Sequence, residues 1–126
     1  MGLTREVVLR YVAALNAHDA DAVVACVAED FVNEHTSVAG TGVVGRTAYR
    51  KRLDGFLREF EDLQYEVEDV LVDGDRAALA YTMTFRLGGV AQRIRGVFRF
   101  RVGADGLIAH RVDYWDSGAV TRATTP

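Results

Sequence analysis

The chain is poor in the residues that declare chemistry on their own. Its single cysteine, Cys26, allows no internal disulfide and no cysteine metal cluster. Cys26 lies in the apolar run Val23-Val24-Ala25-Cys26-Val27 and reads as a small buried hydrophobe. There are three histidines, and no His-x-x-x-His pair or carboxylate cluster accompanies His35, so neither a metal nor a cofactor is expected. Excess positive charge is missing as well. The net charge is −3 and the pI about 5.6, which removes the electrostatic case for nucleic acid or an anionic membrane. No apolar run approaches the ~18 residues of a membrane helix. Residues 1–6 show no basic-then-apolar leader, and a reducing cytoplasm is the expected setting. Repeats, linkers and low-complexity segments are absent.

What remains is an ordinary globular composition, 49% hydrophobic and 26% charged. It suits one domain over residues 1–126 with one core. Thr4 is placed to cap a helix with Glu6 in its first turn, and Val7, Val8, Tyr11, Val12 and Leu15 follow at helical spacing. Asp19 is placed to cap a shorter helix carrying Val23, Val24 and Val27, so the pair reads as a helical hairpin. Phe31-Val32-Asn33-Glu34-His35 reads as extended, with Phe31, Asn33 and His35 on one face. Residues 36–45, rich in Gly, Thr and Ser, read as a loop over whatever Asn33 and His35 face. A third helix is expected over residues 47–59, with Gly55 either weakening it or marking close packing.

From Leu63 the apolar period changes to two. The phase slips near Asp69, which predicts a bulge, and Asp73-Gly74-Asp75 predicts a hairpin turn. Three more strands follow, separated by Gly88-Gly89 and by Gly103-Ala104-Asp105-Gly106. Residues 117–126 read as a loose tail. Helices followed by strands imply an α+β fold, with three N-terminal helices wrapped by a curved antiparallel sheet. Such a cone, a cystatin-like α+β roll, leaves a hollow at its open end where a small molecule can bind.

The last strand is the most informative. Arg111, Asp113 and Trp115 share a face, and a carboxylate rarely enters a packed environment unless it is paired or useful. Asp113 is the candidate general base, or else a structural partner of Arg86 or Arg111. His35 could orient Asp113 or polarise a carbonyl, or be a rim residue bonded to backbone. Asn33 could hold substrate or water. Arg86 could meet an enolate oxygen. Trp115, Phe31, Tyr49 and Thr84 are expected as pocket wall. If Thr82, Thr84, Arg86 and Asp113 line the concave side, then Leu79, Tyr81, Met83, Phe85, Val112 and Tyr114 form a convex apolar face that suits a homodimer. Arg93, Arg95, Arg99 and Arg101 share one parity and are expected to form a solvated face, ion-paired with Glu66 and Glu68.

The element order, together with Asp105-Gly106-Leu107-Ile108 and four further motifs, resembles the nuclear-transport-factor-2-like superfamily and its SnoaL-like branch. Those four are Ala28-Glu29-Asp30-Phe31-Val32-Asn33-Glu34-His35, Gly45-Arg46, Gly96-Val97-Phe98 and Asp113-Tyr114-Trp115-Asp116. The resemblance covers nearly the whole chain. It implies a deep pocket between concave sheet and helices, with an aspartate at position 113 inside it. Limonene-epoxide hydrolases of this superfamily carry a water-holding Tyr-x-Asn pair where this chain has Asn33 and His35, and Arg-x-Asp where it has Thr84-Phe85-Arg86. The SnoaL-type cyclases, implied to use an Asp and no metal, are the better match. Fold membership does not fix function. The expectation is a cofactor-independent isomerase or cyclase in which Asp113 takes a proton from a hydrophobic carbonyl compound. Arg86, His35 or Asn33 would stabilise the enolate, and closure of residues 36–45 would exclude water. A non-catalytic ligand-binding or association domain, and hydration or epoxide hydrolysis through water held by Asp113, stand as alternatives.

Overall fold

The computed structural model describes residues 2–37 and 40–120. Two helices open the chain, α1 (Leu3–Asn16) and α2 (Ala20–Val24), followed by strand β1 (Val27–His35), the two-residue β2 (Val43–Val44) and α3 (Arg46–Glu59). Four strands complete it: β3 (Glu61–Asp73), β4 (Arg76–Leu87), β5 (Val90–Val102) and β6 (Ile108–Trp115). The fold is α+β, with the helices packed on one face of a curved, open sheet whose order is β2-β1-β6-β5-β4-β3.

The apolar periodicities carry through to the structure. The stripe of α1 is buried from Val7 to Leu15, and Tyr49 and Leu53 are the buried residues of α3. The Asp19 side chain caps α2, accepting from Ala22 N at 3.1 Å. The expected bulge is present, as a register shift between Val67 and Asp69 against β4.

Several local expectations are corrected. Thr4 does not cap α1, because the helix begins earlier with Gly2 at its N-cap. The Thr4 hydroxyl donates instead to the Gly74 carbonyl at 2.7 Å, tying the helix to the β3–β4 turn. Val27 belongs to β1 and not to α2; with only five residues, α2 ends as soon as the buried Val23 has been delivered. Residues 43 and 44 leave the expected loop to pair with β1. The sheet is not wholly antiparallel, since β1 runs parallel to β6, with His35 beside Asp113 and Asn33 beside Arg111. Of the expected loose tail, Ser117–Ala119 forms a 3₁₀ turn whose Gly118 N donates to the Asp116 carboxylate at 2.9 Å; residues 121–126 lie outside the described ones.

The largest correction concerns the faces of β4. Leu79, Tyr81, Met83 and Phe85 are buried under the helices, while Thr84 and Arg86 are exposed on the outer face. The parity of β4 was legible, but which parity faces inward is decided by the partner strands. Leu79 lies opposite Phe98, which lies opposite Asp113, so the apolar row and the aspartate share the concave side. The four β4 residues expected on an apolar, dimer-forming convex face are therefore not on that face. That face carries Arg95 bonded to Glu68 through two contacts of 3.0 and 2.6 Å, Thr82 bonded to the same carboxylate, and Arg99 bonded to the Tyr114 hydroxyl. Arg93 and Arg101 complete the row.

Candidate active site

A cavity of about 500 Å³ opens between α3 and the concave sheet. Leu53, Phe56, Phe60, Met83, Phe85 and Ile94 supply its apolar wall, and Asn33, His35, Arg111, Asp113 and Trp115 gather at its polar end. The parallel pairing of β1 with β6 makes that gathering. It sets Asn33 and His35 beside Arg111 and Asp113 in matching register, although the two segments lie nearly eighty residues apart in sequence.

Asp113 is 7% exposed. Its Oδ1 accepts from the Tyr81 hydroxyl at 2.6 Å. Tyr81 reaches it from β4, two strands away, by crossing over Gly96 on the intervening strand. A Cβ at position 96 would stand 2.4 Å from the Tyr81 hydroxyl oxygen and 2.8 Å from the Tyr114 carbonyl oxygen, so this crossing requires glycine. Among the described residues no arginine lies within ion-pair distance of Asp113; its ionisable neighbour is His35, with Nδ1 3.5 Å from Oδ2. Burial pushes the carboxyl above its ordinary value, against the opposing pull of Arg111 and the Tyr81 hydrogen bond. Among the described residues, the bidentate arginine pair that would have made Asp113 purely structural does not form.

His35 is held as a neutral base. Burial, then the positive charges of Arg111 and Arg52, lower it from 6.5 to about 4. The Trp115 indole N–H donates to its Nδ1 at 3.1 Å, and an indole can only donate. The neutral ring must therefore carry its proton on Nε2, and Nε2 sits 3.5 Å from Nη2 of Arg111.

Arg111 is 5% exposed. Nη1 donates to the Tyr11 hydroxyl at 2.8 Å and Nη2 to Asn33 Oδ1 at 2.6 Å. The guanidinium lies 4.6 Å above the Phe98 ring, a cation–π contact. Tyr11 in turn shares a short hydrogen bond with Tyr49, whose ring packs on Phe31. Burial raises both phenols, so they stay neutral.

The structure thus brings together Asp113, His35, Asn33, Trp115 and Tyr49 of the expected residues. It does not bring Phe31, which is fully buried behind Tyr49 and does not line the cavity. Thr84 and Arg86 are on the opposite face of the sheet; the Arg86 guanidinium bonds the Gly89 carbonyl at its own hairpin. His18 bonds the Leu63 carbonyl and His110 pairs with Glu34, both away from the cavity. The segment after β1 does lie over the site: Thr36 N donates to the Asp113 carbonyl at 3.1 Å, and Gly40 and Thr41 line the wall. Ser117 and Val120 line it too, from the stretch expected to be loose.

Sequence reasoning missed Tyr81 and undervalued Arg111. Arg111 shares the parity of Asp113 and was legible as a neighbour, though only as a counter-ion. For Tyr81 the usable signal was Gly96 inside an otherwise bulky strand, which marks a close approach.

A family model for the SnoaL-like domain matches residues 8–111. No curated protein matches the chain by sequence. Among solved structures, Rv0760c of Mycobacterium tuberculosis is 23% identical with a TM-score of 0.85, covering 96% of each chain. The same protein is known in complex with estradiol-17β-hemisuccinate. A candidate ketosteroid isomerase from Kribbella flavida is 27% identical with a TM-score of 0.74, over 98% of this chain and 82% of that one. A candidate SnoaL-like polyketide cyclase from Shewanella denitrificans is 17% identical with a TM-score of 0.84, over 94% of each.

Proposed function

The chain belongs to the SnoaL-like domain family, and from that premise we propose that it is a cofactor-independent enzyme whose Asp113 takes a proton from carbon beside the carbonyl of a hydrophobic small molecule. The observation that carries this reading is a carboxylate on the wall of an apolar cavity, raised by burial and free of any arginine ion pair among the described residues. A base is most useful when its pKa approaches that of its task, and burial moves Asp113 in that direction.

The two carboxylate oxygens have different work. Oδ1 is occupied by the Tyr81 hydroxyl, which orients the group, so the proton goes to Oδ2. The C–H bond breaks, its electron pair delocalises onto the carbonyl oxygen, and Asp113 becomes neutral. Return of the proton to another carbon completes an isomerisation; attack of the carbanion on a second carbonyl forms a C–C bond and an alkoxide, and return of the Asp113 proton to that alkoxide completes a cyclisation. Both share the first step. The relatives support the substrate class: one binds a steroid ester, and others bear the names of ketosteroid isomerase and polyketide cyclase.

The test needs no substrate identity. The α-protons of a panel of cyclic and aryl ketones are followed by NMR in deuterated water with the protein present. Wild type should exchange them, and Asp113→Asn should slow exchange by about 10²- to 10⁴-fold while still binding the ketones. Equal exchange by both proteins would reject Asp113 as the base. Binding without exchange in wild type would leave a ligand-binding domain. Labelled solvent oxygen appearing in a product would point instead to activation of water by Asp113.

A further inference from the structure

The polar end of the cavity contains an arrangement that proton abstraction by Asp113 does not explain. Arg111 Nη2 and His35 Nε2 stand 3.5 Å apart. A guanidinium can only donate. With Trp115 donating to Nδ1, the neutral imidazole also donates from Nε2. Two N–H groups therefore face each other and cannot satisfy one another. Donors converge in this way where they share an acceptor.

Arg111 adds a second, independent oddity. It is a buried, permanently charged group whose partners among the described residues, the Tyr11 phenol and ring, the Asn33 amide and the Phe98 ring, are all neutral. Among the described residues its Nε has no hydrogen-bond partner. A buried cation normally has a carboxylate partner or costs stability. Asp113 lies on the same face yet outside ion-pair distance, and burial favours its neutral form. Arg52 adds another positive charge at the wall, and Glu59 is the remaining acid among the described residues there.

We infer that Arg111 Nη2 and His35 Nε2 form an oxyanion site, and that the cavity takes ligands bearing a negative oxygen on an apolar skeleton, either a carboxylate or the enolate of an acidic carbonyl compound. The oxygen sits between the two donors, and the skeleton lies along Leu53, Phe56, Met83 and Ile94. This inference rests on the proposed reaction only in placing the ligand in the same cavity. In that reaction the site receives the charge that develops on the carbonyl oxygen as Asp113 takes the proton.

The test compares matched probes by calorimetry at neutral pH: 2-naphthoate, its neutral isostere 2-naphthamide, and the acidic enol 2-hydroxy-1,4-naphthoquinone. Wild type should bind naphthoate at least about ten-fold more tightly than the amide, the range of a charge-assisted hydrogen bond. Arg111→Met, which exchanges a buried charge for an apolar chain and is expected to fold, should abolish that preference. Arg111→Lys should keep part of it, and His35→Phe should reduce it several-fold. Which of naphthoate and the naphthoquinone binds more tightly assigns carboxylate or enolate as the natural class. Equal binding of naphthoate and amide by wild type, binding of neither, or an unchanged preference in Arg111→Met would each overturn the inference. Asp113→Asn should keep the preference, so a preference that survives without any α-proton exchange in wild type condemns the catalytic reading alone.

Discussion

At the residue scale, Asp113 and His35 are pulled in opposite directions by the same burial. Asp113 is raised above 3.8 and His35 is lowered from 6.5 to about 4. A carboxyl that is raised on folding contributes stability below its unfolded value and loses it as pH rises through the folded one. A histidine that is lowered contributes stability above 6.5 and loses it as pH falls towards about 4. In the wild type the two oppose each other across that interval. Removing one partner should expose the other. His35→Gln, whose amide can still accept from Trp115, should grow less stable as pH rises above 3.8. Asp113→Asn should grow less stable as pH falls from 6.5 to about 4. Urea unfolding at several pH values measures both slopes, and parallel curves for the two variants would contradict the assignment.

At the scale of elements, two glycines make opposite predictions. In α3 the nearest atom to a Cβ built at Gly55 is the flexible end of Arg58 at 3.9 Å. No close packing needs this glycine, so Gly55→Ala should stabilise the protein by about 0.5–1 kcal/mol through helix propensity, measured as a shifted urea midpoint. In β5, Gly96→Ala should push Tyr81 off Asp113. That hydrogen bond lowers the carboxyl, so its loss raises Asp113 further. The acid limb of kcat/KM should then move to higher pH, with the maximal rate reduced. An unmoved limb would mean that Tyr81 does not tune the base. The distinction between the two glycines is not visible in local sequence, because both interrupt a regular period; only the neighbours across the sheet separate them. The inward parity of β4 was misassigned for the same reason, since Leu79 and Thr84 alternate regularly whichever side is buried.

At the scale of the whole molecule, helices on one side of a curved sheet leave a hollow whose apolar wall no side chain of the described residues fills. An apolar ligand that binds only the folded state should stabilise it by about 2.7 kcal/mol at a hundred times its Kd. Thermal unfolding of wild type with ketone ligands should show that gain. Ile94→Trp, which places an indole into the cavity from its wall, should unfold without it. Stabilisation by the same ligands in both proteins would place them elsewhere. The arginine row on the outer face belongs to this scale too. Its two contacts to Glu68 hold that carboxyl down to about 2, but the pair is exposed and screened by salt, so it marks the outer face more than it holds the fold together.

The sequence by itself determined the three helices and the long strands, their order and the α+β class, and it singled out Asp113 as a candidate. Each of these follows from periodicity, turn chemistry and the cost of burying a carboxylate, all written within a few residues of one another. The tertiary structure decided which face of β4 looks inward, that β1 lies parallel against β6, and that a tyrosine crosses a glycine to orient the aspartate. It also set the His35 ring 3.5 Å from the Arg111 guanidinium. These depend on the register between strands distant in the chain, and alternation along a single strand carries no information about register with its neighbours.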